Sequence, residues 1–265
     1  MATARLHKGQ YSGELSRLKT ADGLLAGITA YSPEHCDPGF HCHENPHLIL
    51  LLNGGNVYNT RRQSSEKTAG DMLFYHSGEV HQTLPGTAFS RCINLEVEHD
   101  FLKRHHMTEE MLQRVAGCGP DGKFMLLKIY RELQADDALG PVSLQALFLG
   151  MSGKLRKEPG RYPPWLTQLL ALLNDEWDGV PTLEALSAKL GVHPVTISKY
   201  FTRFMGCTLG EYLRKAKIEK SLPLIRSGHY SLTEVAVACG FADQSHFIRN
   251  FKAHTGWLPK AFENC

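Results

Sequence analysis

Histidines cluster in two short stretches of the first hundred residues. HCHENPH (41–47) holds His41, His43 and His47, and His81 closes HSGEVH (76–81). Neutral imidazoles bind Zn, Cu, Fe or Ni, so four such donors can form a metal centre. The same side chains can also bond a small organic ligand or one another. The residue types leave these alternatives open.

The residues between the histidines affect how they are held. Positions 41, 43 and 47 share parity, so an unbroken strand would turn all three side chains to one face. Pro46 predicts that this strand is broken. No carboxylate offsets the charge of a bound ion unless Glu44 or Glu79 turns inward. A divalent ion among neutral donors would therefore favour an anionic ligand.

Short apolar runs fill the chain from Leu15 to about Glu98. LLAGITAY, LILLL, DMLFYH and RCINLEVE are separated by the turn signals SPEHCDPG, NGGN, HSGE and LPG. Many short strands at this spacing predict an all-β sandwich or barrel.

Two amphipathic segments then predict an antiparallel helix pair. KFMLLKIYRELQ (123–134) and VSLQALFLGMSGKLRK (142–157) carry apolar residues three and four apart. Their apolar surface predicts a homodimer with Leu127, Tyr130 and Leu147 at or near the seam. The alternative is that both helices only pack on the barrel. EPGRYPP (158–164) predicts a linker.

The last 85 residues contain one helical pattern twice. In the first copy, TLEALSAKLGVHPVTISKYFTRFMG, an apolar helix ends at Gly191 and a second begins near Pro194. The apolar side chains expected to be buried by that second helix are Ile197, Tyr200, Phe201 and Phe204.

The second copy is SLTEVAVACGFADQSHFIRNFKAHTG. Ser231 and Glu234 predict a capping box, Gly240 ends the helix, and Asp243 caps the next one. That next helix is expected to bury Phe247 and Phe251. Two helices joined by a short glycine-containing turn, the second polar and basic, are typical of a DNA-reading helix-turn-helix.

Basic residues are concentrated in the same part of the chain as the two helical patterns. Residues 1–188 hold 18 Lys/Arg and 22 Asp/Glu, whereas residues 189–260 hold 11 and 4. A basic block beside two such motifs indicates a polyanion partner rather than ordinary helix hairpins.

The stretch from Thr182 to Phe262 resembles the C-terminal DNA-binding domain of the AraC/XylS family of bacterial transcription regulators. The strings that carry the resemblance are LGVHPVTISKYFTRFMG, EYLRKAKIEKSLPLI and VACGFADQSHFIRNFKAHTGWLP. Lys217 and Ser221 depart from the family's usual Arg and Ala. Pro223 is expected to kink or end the linking helix, roughly residues 208–224.

The resemblance implies a multi-domain α+β chain: a cupin-like effector-sensing barrel (1–100), a helical dimerisation segment with linker (101–160) and an all-α domain with two helix-turn-helix motifs (161–265). It implies a transcription regulator, not an enzyme, that binds promoter DNA, a small-molecule effector and RNA polymerase as a homodimer. Seven scattered cysteines without a C-x-x-C pair, and no apolar run long enough to span a bilayer, fit a cytoplasmic protein at the bacterial nucleoid.

The resemblance also implies the functional residues. Base edges would be read by Val195, Ser198 and Lys199 in the first motif and by Gln244, Ser245, His246, Ile248 and Arg249 in the second. Side-chain chemistry pairs Arg249 with guanine, Gln244 with adenine and Ile248 with a thymine methyl. Arg203 and Lys252 would grip phosphate.

In cupins an H-x-H pair is followed by a Glu and a later His, and here His47 stands in place of that Glu. No cofactor is required for the predicted function, and a divalent metal at His41, His43, His47 and His81 stays an open alternative. The competing functions are a metal-dependent cupin oxygenase and a constitutive DNA-binding protein.

Overall fold

The structure is a computed structural model that describes residues 3–117, 119–135, 139–155, 162–175 and 182–264, with residues 152–155 and 174–175 described in their backbone only. The described residues form two compact units, one reaching to residue 155 and the other comprising residues 162–254 and 258–264. Cys118, Cys265 and most of the predicted linker 158–164, including the boundary at 160, lie outside the described residues.

The first unit begins with two five-stranded sheets. Their strands are β1 Ala4–Leu6, β2 Glu14–Ala21, β3 Leu24–Tyr31, β4 His41–His43, β5 His47–Asn53, β6 Gly55–Thr60, β7 Ser64–Thr68, β8 Met72–Tyr75, β9 His81–Pro85 and β10 Ser90–Val97. The strand orders are β1-β4-β9-β6-β7 and β2-β3-β10-β5-β8. The predicted β-barrel is confirmed, and β1 lies ahead of its predicted start.

The three central strands of the second sheet, β3, β10 and β5, are buried on both faces. One face contributes to a cluster of buried side chains: Tyr31, Ile49, Leu51, Tyr58, Tyr75 and Cys92. Ile28, Leu50 and Ile93 alternate with these along the strands and are cross-strand partners, so they face the other side. Helices pack there. This double burial explains why these strands read as nearly continuous apolar runs.

Four helices complete the first unit: α1 His99–Arg104, α2 Glu109–Gly117, α3 Asp121–Gln134 and α4 Gly140–Leu155. The last two pack on each other and on the second sheet, as the alternative interpretation held. Leu127 is 1% exposed and Tyr130 is fully buried, so the prediction that they lie at a dimer seam is wrong. Leu147 is half-buried.

The second unit is helical throughout its described residues. Its helices are α5 Pro164–Asp175, α6 Leu183–Leu190, α7 Pro194–Met205, α8 Leu209–Arg226, α9 Leu232–Ala238, α10 Gln244–Thr255 and α11 Pro259–Glu263. The first motif, α6 and α7, shares a core with α5: Leu166, Leu169, Leu173, Leu186, Ile197 and Phe201. Tyr200 is exposed, contrary to the sequence-based prediction, and Phe204 is half-buried.

Local signals determine where the motif helices begin and end. Thr182 caps α6 by accepting a hydrogen bond from the amide of Ala185 at 3.2 Å. Gly191 ends that helix with a φ of 65°, a left-handed conformation that glycine adopts without strain. The predicted capping box of Ser231 and Glu234 is present at the start of α9. Together these signals define two helix-turn-helix units.

Helix α8 connects the two motifs. It contacts both α7 and α9, and its 18 residues span about 27 Å at 1.5 Å per residue. Pro223 lies inside it and the helix continues to Arg226, so of the two expected effects of Pro223, a kink or an end, the end does not occur. No helix among the described residues is long and apolar enough to cross a membrane.

Candidate DNA interface and histidine cluster

The first motif presents its predicted reading residues on one side of α7. Val195 is 65% exposed, and the other three predicted residues, Ser198, Lys199 and Arg203, are also exposed. Positions 195, 198, 199 and 203 recur at three- and four-residue spacing, so they share a helix face. A surface pocket of about 340 Å³ opens beside the start of this face and is lined by Leu183, Pro194, Val195, Ser198 and Lys199.

The second motif presents α10 in the same way. The exposed predicted residues are Gln244, Ser245, Arg249 and Lys252. His246 and Ile248 are half-buried, and the His246 ring lies edge-on to Phe241 with centroids 5.5 Å apart. The amide of His246 donates to Asp243 at 2.6 Å, which confirms Asp243 as the cap of this helix.

Aromatic packing behind α10 fixes that exposed face. Phe247 and Phe251 are fully buried, with ring centroids 5.7 Å apart. The ammonium of Lys217, on α8, donates to the carbonyl of Gly240 in the turn before α10 and lies 5.7 Å from the centre of the Phe241 ring. The departure from the family's Arg at 217 therefore keeps a cationic link between the connecting helix and the turn.

The histidine cluster lies between the two sheets of the barrel. His41 and His81 are directly opposed on β4 and β9, and each of His41, His43 and His81 offers a nitrogen within 4.8 Å of the others. Pro46 breaks the strand after β4, as predicted, so His47 begins β5 in the other sheet. The His47 ring nevertheless packs on His43, with centroids 4.2 Å apart.

Hydrogen bonds assign the proton on two of these rings. Nδ1 of His41 lies 3.0 Å from the carbonyl oxygen of Gly39, and Nδ1 of His81 lies 2.9 Å from that of Glu79. Because a carbonyl only accepts, Nδ1 carries the proton in both rings and Nε2 keeps its lone pair. Histidine ligands of metals are oriented by the same kind of outer hydrogen bond.

All four imidazoles are neutral near pH 7. Burial, reinforced by the neighbouring His81 and His41, lowers the pKa of His43 to about 3. Burial also lowers the pKa of His81 to about 4 and places the pKa of His41 and His47 below the usual histidine value. Neutral imidazole is the form that binds a metal ion.

Glu44 and Glu79, the carboxylates that lie among the histidines in the sequence, do not turn into the histidine cluster. Glu44 accepts hydrogen bonds from the ring of His7 and the amide of Lys8, both at 2.9 Å, and Glu79 accepts from the amide of His76 at 3.0 Å. Sequence reasoning missed Glu96 instead, which is 1% exposed and directly opposite His47 across β10 and β5. Directly opposed residues share a sheet face, so Glu96 faces the barrel interior.

A second polar side chain in the barrel was also missed. Asn94 is fully buried and donates to the hydroxyl of Thr29 at 2.8 Å, but its Oδ1 has no hydrogen-bond partner among the described residues. The same holds for Nδ1 of His43. Buried polar atoms without partners are costly, so such atoms mark places where a ligand or water can bind. Strand parity with Cys92 would have placed both Asn94 and Glu96 inside the barrel.

The donor set fits a divalent metal. Three buried neutral imidazoles converge, two have outer hydrogen bonds that orient Nε2, and His43 has an unpartnered ring nitrogen. These are the ligand type and the support that Zn, Fe, Ni and Cu sites use.

Comparison with known proteins gives matches to the second unit alone and matches that span most of the chain. A family model described as "Helix-turn-helix domain" matches residues 186–264. The HTH-type transcriptional activator RhaR of Cronobacter sakazakii is 22% identical over 250 residues, covering 84% of this chain and 85% of that protein. The HTH-type transcriptional activator RhaS of Escherichia fergusonii is 30% identical over 95 residues, which are 36% of this chain and 34% of that protein.

Among solved structures, ToxT from Vibrio cholerae aligns over 92% of this chain and 98% of its own, with a TM-score of 0.38 and 11% identity. The matched domain spans α6 to α11 and contains both helix-turn-helix units described above. Residues 186–264 therefore form a helix-turn-helix domain, as the resemblance to the AraC/XylS regulators implies, and a cupin-like β-barrel precedes this domain in the chain.

Proposed function

We propose that this protein binds specific operator sequences with both helix-turn-helix motifs and changes that binding, and with it transcription by RNA polymerase, when a small molecule occupies the barrel. The observation that carries the proposal is the pair of exposed polar helix faces on α7 and α10, joined by one helix of about 27 Å. That length is of the order needed to set two helices in successive major grooves, which recur about every 34 Å.

The exposed side chains of α7 and α10 fall into two groups: those that can donate to bases and those that can contact phosphate. Arg249 and Lys199 are exposed and can donate to guanine. Arg203 and Lys252 lie about one turn further along their helices, where phosphate contacts give affinity without sequence preference. The two motifs differ at their first helical residue, which is Pro194 in α7 and Gln244 in α10. We therefore expect the second motif to carry more of the polar readout.

The barrel supplies the sensing site in this proposal. His43 and Asn94 have unpartnered polar atoms in its interior, and the Tyr11 ring lies 6.0 Å from His43. The four histidines are neutral and Glu44 and Glu79 are turned away, so of the three carboxylates described above only Glu96 faces the interior. One carboxylate leaves part of the charge of a divalent ion unbalanced, which favours an anionic effector if a metal is bound. A metal would be held by His41, His43 and His81, with His47 behind them, and would supply a positive charge for that effector. We expect binding without turnover.

We also propose a homodimer formed through the outward face of α4. Val142 is 66% exposed, and Ala146 and Gly150 are exposed one and two turns further on. These positions line one side of the helix, opposite the side that packs on the second sheet. This face replaces Leu127 and Tyr130 as the predicted seam.

The direct test is capture of genomic DNA fragments by the full-length protein, with and without pools of small acids. The proposal expects a limited set of fragments and a change in their retention when an effector is added. Retention of all fragments alike would contradict specific regulation, and specific retention that no metabolite extract alters would favour a constitutive DNA-binding protein.

The contribution of the histidines is tested separately with a His43→Ala/His81→Ala variant and a His35→Ala control, which changes an exposed histidine outside the cluster. Elemental analysis of untagged protein decides between the two alternatives for the cluster: a metal site predicts stoichiometric metal in the wild type and the control but not in the double variant, whereas a metal-free pocket predicts none in all three. Effector-dependent DNA binding that survives in the double variant would contradict a role for the cluster in sensing.

A further inference from the structure

A hydrogen bond joins the two helices of the second motif at the edge of the proposed DNA interface. The hydroxyl of Thr233, on α9, donates to Oε1 of Gln244, the first residue of α10, at 3.0 Å. Both side chains are exposed. Neither residue is buried, so the main effect of the bond is to fix the orientation of the Gln244 side chain.

The orientation of this glutamine determines what it can read. A glutamine amide has an acceptor at one end and two donors at the other, and it recognises a base edge only when each end meets its complement. A free side chain rotates among several conformers and presents either end. Here the Thr233 hydroxyl fixes Oε1 on the side of α9, which leaves the donor end of the amide to face away from it.

The same bond limits what Thr233 can do by itself. A threonine hydroxyl carries one proton, and Gln244 accepts it. A phosphate oxygen needs a donor, so Thr233 cannot serve phosphate while the bond persists. In α7 the equivalent helix start is Pro194, which has no such side-chain amide to orient.

We propose that Thr233 is a positioning residue for base recognition: it fixes the amide of Gln244 so that the second motif discriminates one base pair of the operator. The inference rests on the proposed function. It concerns specificity rather than affinity, because non-specific binding depends on phosphate contacts that this pair does not make.

The test is selection of bound sequences from a randomised duplex pool with the full-length protein. Gln244→Ala first identifies the base pair that loses its preference. Thr233→Val, which removes only the hydroxyl, should then reduce discrimination at that same base pair by roughly 3- to 10-fold, the effect of one hydrogen bond. Thr233→Ser should keep the preference, and Thr233→Val should add nothing in the Gln244→Ala background.

Three results would overturn the inference: an unchanged preference in Thr233→Val, an equal loss of binding on selected and random DNA, or the same loss with and without Gln244. Equal thermal unfolding midpoints for wild type and Thr233→Val would show that the fold is retained. A wild-type protein that enriches no sequence would overturn the proposed function and this inference together, whereas the three results above leave the proposed function intact.

Discussion

Glu109, at the start of α2, joins the helical layer to the loop that leads into β9. Its carboxylate accepts hydrogen bonds from Nδ1 of His76 and Oγ of Ser77, both at 2.7 Å, and from the Ser77 amide at 3.2 Å. Nε2 of His99 lies 3.2 Å away. The side chain of Glu109 is 20% exposed. Glu109→Gln keeps the shape of this side chain but removes one acceptor oxygen and places an amide donor against donors.

The expected loss of stability in Glu109→Gln follows from the hydrogen bonds that the new side-chain amide cannot accept. Hydrogen bonds to a charged group contribute about 1.5–3 kcal/mol each, and two of the four lose their acceptor. Partial exposure and the surviving contacts lower the total, so we expect the free energy of unfolding to fall by about 2–3 kcal/mol. For a unit of this size that corresponds to a Tm lower by roughly 4–10 °C.

The pKa of Glu109 determines how the Tm difference between wild type and Glu109→Gln changes with pH. Burial works to raise the pKa of the Glu109 carboxyl, but hydrogen bonds from Ser77 and His76 outweigh it and hold the pKa below its ordinary value. A lowered carboxyl pKa stabilises the fold fully above the ordinary pKa of about 4.3, and this stabilisation is lost as pH falls through the folded value. The Tm gap between wild type and Glu109→Gln should therefore be full at pH 7 and narrow below about pH 4.

Thermal unfolding followed by circular dichroism at pH 7 and at acidic pH measures both effects. Glu110→Gln is the matched control, because Glu110 is the neighbouring acid, is exposed and bonds to the nearby Thr108 rather than to the loop before β9; its Tm should fall by much less than that of Glu109→Gln. Equal Tm values for Glu109→Gln and Glu110→Gln at pH 7, or a gap that persists unchanged in acid, would refute the assigned role of the carboxylate.

Other predictions concern DNA binding, assembly and the second motif. Arg249→Ala should cost about 1–3 kcal/mol on the specific site and relax one base position, whereas Lys252→Ala should weaken binding to all sequences and lower the salt slope by about 1; filter binding at several salt concentrations separates the two, and equal losses on specific and random DNA for both would contradict the assignment. Val142→Asp should sediment as a monomer beside a dimeric wild type, and a dimeric variant would exclude the α4 face. Ser231→Ala should lower the free energy of unfolding by about 1 kcal/mol through loss of its cap, measured by urea unfolding; an unchanged midpoint would contradict the capping role.

Signals that act within a few residues were sufficient to predict much of the fold. The break at Pro46 and the caps at Ser231 and Asp243 depend on local backbone geometry, and the structure shows each of them. The short apolar runs separated by turn signals predicted the barrel because strand length and turn chemistry are also local. The exposed faces of α7 and α10 followed from helical spacing around Phe201 and Phe247.

Features that depend on contacts between residues far apart in the sequence could not be predicted. Helical periodicity identified the apolar side of α3 but not the sheet that covers Leu127 and Tyr130. Pro223 was expected to kink or end α8, and the helix continues through it to Arg226. Strand parity in RCINLEVE could have placed Glu96 inside the barrel, but only its pairing with His47 puts this buried carboxylate beside the histidines.

In the proposed function, one chain reads two half-sites with α7 and α10. Footprinting of the full-length protein on a captured genomic fragment tests it most directly. Because α8 spans about 27 Å, we expect two protected major-groove segments on one face of the duplex, with centres about 10–10.5 bp apart. In Arg249→Ala one of the two segments should lose protection while the other remains. A single protected segment in the wild type, or equal loss of both segments in the variant, would contradict the account.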